Sequence, residues 1–157
     1  MTDTPCMELD DNGLEILERD ECYELLRSRS IARVGLSMDA LPVVLPVNFV
    51  VCDGQVVIRT NEGSKLDAAL AHAVIAVEVD DYDPMSHTGW SVLVRGTSRV
   101  ITDPAERTRA QELWLRPWAN EGADRWIAVA IDLVSGRRIR PEYEPHPENR
   151  PVHARWG

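Results

Sequence analysis

The succession of patterns along the chain predicts an α+β fold, a mostly antiparallel six-stranded β-barrel with short flanking helices. Strand-like runs outnumber helical runs, in the order helix, three strands, short helix, two strands, helix, strand. A doubly wound sheet would instead alternate strands and helices regularly. The 157 residues, 44% of them hydrophobic, are enough for one domain with a buried core.

The first helix is expected to begin at Asp20, whose carboxylate can accept hydrogen bonds from the first turn, and to end near Arg29. Residues 31–37 and 41–52 follow as strands, joined by a turn at 38–40.

The second of these strands contains Pro42 and Pro46. Because proline has no N–H to donate, it is tolerated at strand edges and at bulges. We therefore expect either a plain edge strand or an irregular backbone where a ligand could reach the main chain, over Pro46, Val47, Asn48 and Phe49.

Asp53-Gly54 predicts a tight hairpin turn, with Cys52 beside it as a small buried hydrophobe. The strand that follows, 55–60, alternates its side chains between two faces. One face carries Val56, Ile58 and Thr60, and the other carries Val57 and Arg59.

The stretch from Arg59 to Lys65 gathers hydrogen-bond donors where this strand gives way to a short helix that ends near His72. Lys65 is the only lysine among the 17 basic residues. The hydroxyls of Thr60 and Ser64, two cations and the backbone N–H groups of a helix start would suit an anion such as phosphate. An ordinary strand-to-helix loop with a solvated lysine explains the same residues.

Two more strands are predicted, over 74–82 and 90–102. The acids near the end of the first of them lack the spacing of a calcium loop, so we expect a solvated strand end and no metal site. They are Glu78, Asp80, Asp81 and Asp83.

The sequence Asp103-Pro104-Ala105-Glu106 predicts a capping box with proline at the first helical position, and the helix is expected to run to about Leu115. A last strand covers 126–133 and could continue to Ile139. We expect the tryptophans of this region to be core or interface anchors. They are Trp114, Trp118 and Trp126.

Composition excludes several classes of function. A net charge of −9 argues against a nucleic-acid-binding surface, which needs clustered positive charge. Three widely spaced cysteines fit neither a disulfide framework nor a metal site. The acidic N-terminus lacks the apolar core of a signal peptide, and no run reaches membrane length, so we expect a cytoplasmic protein.

The chain divides into a flexible acidic arm over 1–12, a domain over 13–140 and a proline-rich tail over 141–157 that would be disordered or lie on a partner subunit. Neither the Gly-x-Gly-x-x-Gly pattern nor a P-loop occurs, so Rossmann and P-loop nucleotide sites are not supported.

Three segments, in this order and spacing, resemble the FMN-binding split barrels related to pyridoxamine 5′-phosphate oxidase. They are Pro42-Val43-Val44-Leu45-Pro46-Val47-Asn48-Phe49, then Ile58-Arg59-Thr60 with Glu62-Gly63-Ser64-Lys65, and then Gly89-Trp90-Ser91-Val92-Leu93-Val94-Arg95-Gly96. The likeness runs from about Leu17 to Ile139. It implies a six-stranded split β-barrel over 13–140 that forms a homodimer with FMN in the cleft between the subunits.

By the same resemblance, the FMN phosphate would be held by Arg59, Thr60, Ser64 and Lys65. The backbone of Pro46, Val47, Asn48 and Phe49 would line the isoalloxazine ring, and Trp90 and Ser91 would lie close to the flavin. His87 is a candidate for proton transfer near this site, with a solvated loop histidine as the alternative.

Flavin chemistry is consistent with a sequence that shows no Ser-His-Asp set or paired carboxylates, because the flavin ring itself carries the hydride. The Arg- and His-bearing C-terminal segment of true pyridoxamine phosphate oxidases is not recognisable in 143–157. Residues 89–96 look more like actinobacterial-type flavoproteins and the nitroimidazole-reductase relatives. We therefore expect an FMN-dependent oxidoreductase acting on a small molecule.

Two alternatives stay open. One is a split barrel that binds deazaflavin F420 or haem, although the polyglutamate tail of F420 asks for more cations than this acidic chain offers near the site. The other is a non-catalytic dimeric module that binds or senses flavin without turnover.

Overall fold

Eight strands and three helices make up the residues described by the computed structural model, 8–113 and 124–141. In chain order they are β1 (Glu15–Leu17), α1 (Arg19–Arg27), β2 (Ile31–Met38), β3 (Leu41–Cys52), β4 (Gln55–Asn61), α2 (Lys65–Leu70), β5 (Val74–Asp83), β6 (Thr88–Val100), α3 (Pro104–Leu113), β7 (Asp124–Ala130) and β8 (Leu133–Ile139).

The strands form an antiparallel barrel with an extension. Their order is β1-β8-β6-β5-β2-β3-β4-β7, and β7 also pairs with β6, so that β2 to β7 close on themselves. The predicted α+β fold, a mostly antiparallel barrel of six strands with few short helices, is confirmed. The structure adds two strands, β8 and β1, which continue the sheet beyond β6.

The extra strands arise where the sequence pattern is weakest. β1 has only three residues, too few to show an alternation. β7 and β8 together follow one side of β6, at Ser98–Val100 and at 89–95 respectively, and the chain bends between them. At this bend the Ala130 carbonyl passes so close to Gly96 that a Cβ there would lie 1.7 Å from its oxygen. The predicted strand 126–133 and its possible continuation to Ile139 are therefore two separate strands, β7 and β8.

The barrel interior is filled by the inward-facing branched residues of the strands, closed by Leu26 of α1 and Leu70 of α2. Val34, Ile58, Val77, Val92, Val94 and Ile127 have no exposed surface. A second cluster includes Ala110 of α3 and contains Cys52 and Trp126, both buried as predicted. Trp114 and Trp118 lie outside the described residues.

The helix boundaries confirm one cap prediction and correct another. Asp103 accepts a hydrogen bond from the Glu106 N–H at 3.1 Å, and Pro104 is the first residue of α3. In α1, however, the N-cap is Glu18, which makes no side-chain cap hydrogen bond, and Asp20 lies in the first turn. The helix begins before Asp20, which therefore supports it through the helix dipole rather than as a cap.

Three of the four predicted acids of β5 form ion pairs, and three of the four are exposed, with Glu78 half-buried. Arg33 of β2 contacts Glu78 at 3.1 Å and Asp80 at 2.5 Å, and Arg29 pairs with Asp81. These pairs join β5 to β2 and to Arg29, which precedes β2 in the chain.

The ends of the chain are described only in part. Residues 1–7 of the predicted arm and 142–157 of the predicted tail lie outside the described residues. Within the described part of the arm, the Asp10 carboxylate contacts Arg137 of β8 at 2.8 Å. Across the described ranges, no helix has both the length and the apolar character needed to cross a bilayer.

Candidate functional site

β3 exchanges its partner strand between Asn48 and Phe49. Among the described residues, 41–48 pair only with β2, whereas Phe49–Cys52 pair with β4. Within the same part of the chain, β4 pairs with β3 as far as Ile58, and its last three residues pair with β7 alone. The two strands therefore diverge beyond the Phe49–Ile58 pair, and a gap, here called the β3–β4 gap, opens between Asn48 and Arg59.

One wall of the β3–β4 gap is an open strand edge. The Phe49 N–H donates to the Ser30 carbonyl, toward the β2 side, at 3.0 Å. Because N–H directions alternate along a strand, the Asn48 N–H points away from β2 and toward the gap. Of the predicted segment Pro46, Val47, Asn48 and Phe49, the structure thus leaves the main chain of Pro46 and Asn48 facing an edge that no described strand pairs, whereas Val47 faces β2 and Phe49 is paired on both sides.

The prolines are explained by the same alternation. The register between β2 and β3 is unbroken from Leu41 to Asn48, so the expected irregular backbone is wrong and the plain edge strand is correct. Pro42 and Pro46 occupy positions whose N–H would face the open edge, where its loss removes no hydrogen bond of the ladder.

The other wall begins with Arg59 and Thr60, which point to opposite faces of β4, as predicted. Thr60 is 7% exposed and lies on the interior face with Ile58. Arg59 lies on the outer face, with its guanidinium carbon 6.0 Å from the centroid of the Trp126 ring. Adjacent strand residues cannot direct their side chains to one point. A single anion would therefore meet Arg59 and Thr60 only beyond the end of the strand, where the next residues lie.

Ser64 and Lys65 lie on the loop that continues β4 into α2. Gly63 takes a positive φ of +77° in this loop, which suits glycine. The Ser64 hydroxyl oxygen accepts from the Asp67 N–H, and the Asp67 carboxylate accepts from the Gly63 N–H, both at 3.0 Å. Ser64 can still donate its own hydrogen, and Lys65 is exposed at the first position of the helix.

A further cation, Arg125, belongs to this wall. The predicted last strand begins at 126 and so leaves Arg125 out, whereas Arg125 lies on β7 directly opposite Thr60. Its Nη2 atom is 2.8 Å from Oε1 of Glu62 and its Nε atom is 3.3 Å from Oδ1 of Asp67. The hydrogen bond to Glu62 raises the pKa of Arg125 above its usual range. Arg125 is two residues before Ile127 and four before Val129, both of which face the barrel interior. This spacing of two is the sequence signal that could have extended the predicted strand back to Arg125.

Trp90 and Ser91 are not part of the β3–β4 gap of the same chain. They lie at the start of β6, paired with Asp81 and Asp80 of β5. Two strands, β2 and β5, separate them from β3, which at about 4.8 Å per strand places them roughly 14 Å from Asn48 along the sheet.

Trp90 instead lines a groove of about 300 Å³ between the β5–β6 turn and β8, here called the Trp90 groove. Arg138 and Arg140 also line it, and the Arg29 guanidinium lies 5.3 Å from the centroid of the Trp90 ring. Glu15 accepts a hydrogen bond from Arg140, which lowers the pKa of Glu15.

His87 lies on the turn before β6 and is exposed. Its φ of +52° is positive, and its Nδ1 atom is 3.4 Å from the Tyr82 hydroxyl, a long hydrogen bond. The structure therefore places His87 near Trp90 in the chain, and apart from the residues of the β3–β4 gap.

Comparison with known proteins agrees with this architecture. The profile of the family described as pyridoxamine 5′-phosphate oxidase matches residues 18–138. The uncharacterized protein Rv0080 of Mycobacterium tuberculosis is 41% identical over 128 residues, 78% of this chain and 84% of the relative.

Two solved structures are similar over most of the chain. The FAD binding protein from Mycobacterium smegmatis has a TM-score of 0.70 at 38% identity and covers 80% of this chain and 99% of its own. The FAD and heme binding protein from the same organism has a TM-score of 0.65 at 26% identity, with 82% and 74% covered. On the family match and the split-barrel architecture together, the chain belongs to the pyridoxamine 5′-phosphate oxidase family.

Proposed function

We propose that this protein binds a flavin, with FMN as the first candidate, and uses it to oxidise or reduce a small molecule. The observation that carries the proposal is the β3–β4 gap, which has an open strand edge on one wall and hydroxyls and cations on the other. The 38% identical FAD binding protein supports a flavin as the class of cofactor.

The residues of the gap fit the two parts of a flavin nucleotide. The isoalloxazine ring is flat and partly apolar, with nitrogen and oxygen atoms at its rim, and suits the main chain from Pro46 to Phe49. Val47 and Phe49 are 7% and 1% exposed, so this segment is anchored in the core rather than mobile. An edge anchored in this way can fix the orientation of the ring.

The phosphate fits the second wall. Ser64 offers a hydroxyl donor, and Arg59 and Lys65 offer charge. The Thr60 hydroxyl donates to the Asn61 carbonyl at 3.3 Å, a long hydrogen bond that it would exchange for one to the phosphate. Because Arg59 lies on the outer face of β4, we place the phosphate at the end of the strand, where the loop 61–64 brings Ser64 and Lys65 next to it.

A bound flavin supplies hydride transfer on its own ring, so the protein has to bind, orient and shield it. In this proposal the β3 edge orients the ring and the residues from Arg59 to Lys65 anchor the phosphate. His87, on the turn before Trp90, is the candidate for moving a proton at its ring nitrogen.

We further propose that the site is completed by a second copy of the chain. Trp90, Ser91 and His87 lie two strands away from the gap, so they can face the flavin only from a partner. The open edge of β3 exposes Leu41 and Val44, each at 67%. Unpaired edges with apolar side chains favour association with another chain, and this edge is where we place the homodimer interface.

The test is a titration of the purified protein with FMN, followed by flavin absorbance and fluorescence. We expect a bound-flavin spectrum, and weaker FMN binding when Ser64→Ala and Lys65→Ala are combined. Riboflavin, which lacks the phosphate, is the matched ligand, and its affinity should change little. Equal FMN affinity in the wild type and the double variant would refute the assignment of Ser64 and Lys65 as ligands of the phosphate.

The same preparation decides between the alternatives. Titration with FAD in parallel distinguishes the two flavin nucleotides, and a haem absorption band or a deazaflavin spectrum would identify the other cofactors. Reduction of the bound flavin by NADH or NADPH supports an oxidoreductase. A stable flavin complex that neither donor reduces favours the binding or sensing module.

A further inference from the structure

We propose that Arg125 is a further ligand of the flavin phosphate, and that Glu62 occupies its guanidinium until the phosphate displaces it. This inference rests on the proposed function, because it adds a residue and a competitor to the same site. Neither Arg125 nor Glu62 belongs to the set of residues that the family resemblance implies as phosphate ligands.

The position of Arg125 carries the first step. Directly opposed residues of paired antiparallel strands point to the same face, so the Arg125 side chain lies beside that of Thr60. Its contacts with Glu62 of the loop and Asp67 of α2 show that it extends over the segment between them, which also carries Ser64 and Lys65. The guanidinium therefore reaches the region in which we place the phosphate.

The two acids that hold Arg125 differ in kind. The Asp67 side chain is 4% exposed and also accepts from the Gly63 N–H, so it is fixed by the fold. The Glu62 side chain is 55% exposed and lies on the loop. The contact of Arg125 with Asp67 is an ion pair and not a hydrogen bond, so it uses none of the five guanidinium donors. Asp67 can therefore keep Arg125 in place by charge while the hydrogen bond to Glu62 is exchanged for another anion.

Charge favours this exchange. A phosphate monoester carries about −1.5 to −2 charges at pH 7 and three acceptor oxygens, more than the single charge of a glutamate. Arginine also binds phosphate in a two-point geometry. FMN should therefore displace Glu62, whereas a ligand without phosphate should leave the ion pair intact.

The experiment measures the dissociation constants of FMN and riboflavin for wild type, Glu62→Gln and Arg125→Gln. Removing the competitor with Glu62→Gln should tighten FMN binding about two- to fivefold, since exposed ion pairs are weak. Arg125→Gln should weaken FMN binding about ten- to a hundredfold, the usual range for a charge-assisted hydrogen bond. Riboflavin binding should change in neither variant.

The chain offers a matched control pair. Asp53 and Arg109 form an exposed ion pair at 2.9 Å, between the β3–β4 hairpin turn and α3. Asp53→Asn and Arg109→Gln remove the same kinds of charge away from the β3–β4 gap. We expect both control variants to bind FMN as the wild type does.

The gain in Glu62→Gln is a result that structural damage cannot mimic, because damage weakens binding. In the double variant of Glu62 and Arg125 this gain should disappear. If the wild type binds FMN more tightly than riboflavin and Glu62→Gln shows the same ratio of dissociation constants, the inference is refuted and the proposed function stands. A wild type with no preference for FMN refutes both.

Discussion

Gly96→Ala should open the barrel where β6 meets the bend between β7 and β8. A Cβ at this position would lie 1.7 Å from the Ala130 oxygen and 2.8 Å from its carbonyl carbon. Both are backbone atoms, so no side-chain rotation can relieve the overlap. Reaching the shortest tolerated contact requires the strands to separate by roughly a further 1.3 Å.

The cost of this separation falls on several contacts at once. The hydrogen bond from the Thr97 N–H to the Asp132 carboxylate, at 3.2 Å, spans the same bend. Overpacking in a well-packed region typically costs 1–3 kcal/mol, and a rigid backbone clash belongs at or above the upper limit, so we expect a loss of about 3 kcal/mol or more. For a chain of this size the melting temperature should fall by roughly 6–12 °C.

The assay is urea and thermal unfolding, with Gly35→Ala as the control. Gly35 is also a strand glycine, but an added Cβ would meet only the Ala76 Cβ at 3.7 Å, an ordinary contact. Gly35→Ala should therefore be neutral or slightly stabilising, by up to about 1 kcal/mol. Equal stabilities for Gly96→Ala and the wild type would refute the account of the barrel closure.

Two further predictions test the packing at the gap and the electrostatics of the barrel extension. Phe49→Ala removes a side chain that is 1% exposed at the last β3–β4 pair, and should lower the free energy of unfolding in urea by about 3–5 kcal/mol; a loss under 1 kcal/mol would contradict it. The lowered pKa of Glu15 gives the folded state stability above pH 4.5, the usual pKa, and this stability disappears as the pH falls through the lowered value. Glu15→Gln should therefore cost up to about 1 kcal/mol at pH 7 and progressively less as the pH is lowered below 4.5, and a cost independent of pH would show that the ion pairs of Glu15 are not its cause.

Much of the fold could be predicted because local chemistry and tertiary pairing agree. Asp53-Gly54 forms the predicted hairpin, with φ values of +51° and +73°, and Asp103 caps α3. The chain departs from the predictions where tertiary contacts decide. α1 begins before Asp20, and the bend after Ala130 follows from the contact with Gly96, which is distant in sequence.

The candidate site shows the same division. Alternation along 55–60 predicts that Arg59 and Thr60 face opposite ways, and the resemblance identifies both as residues to consider. The gap itself exists because β3 pairs with β2 up to Asn48 and with β4 from Phe49 onward. No local sequence pattern predicts this change of partner strand. Arg125 was missed because its position opposite Thr60 is set by the pairing of β4 with β7, two segments more than sixty residues apart in the sequence.

We propose that a flavin lies at the β3–β4 gap in a site completed by a second copy of the chain, and one measurement tests both parts together. Sedimentation equilibrium with FMN, recorded at both flavin and protein wavelengths, measures the mass of the species that carries the flavin. We expect one flavin per chain, sedimenting with a species of twice the 17.7 kDa chain mass. Flavin that sediments alone, or with a single chain, would contradict it.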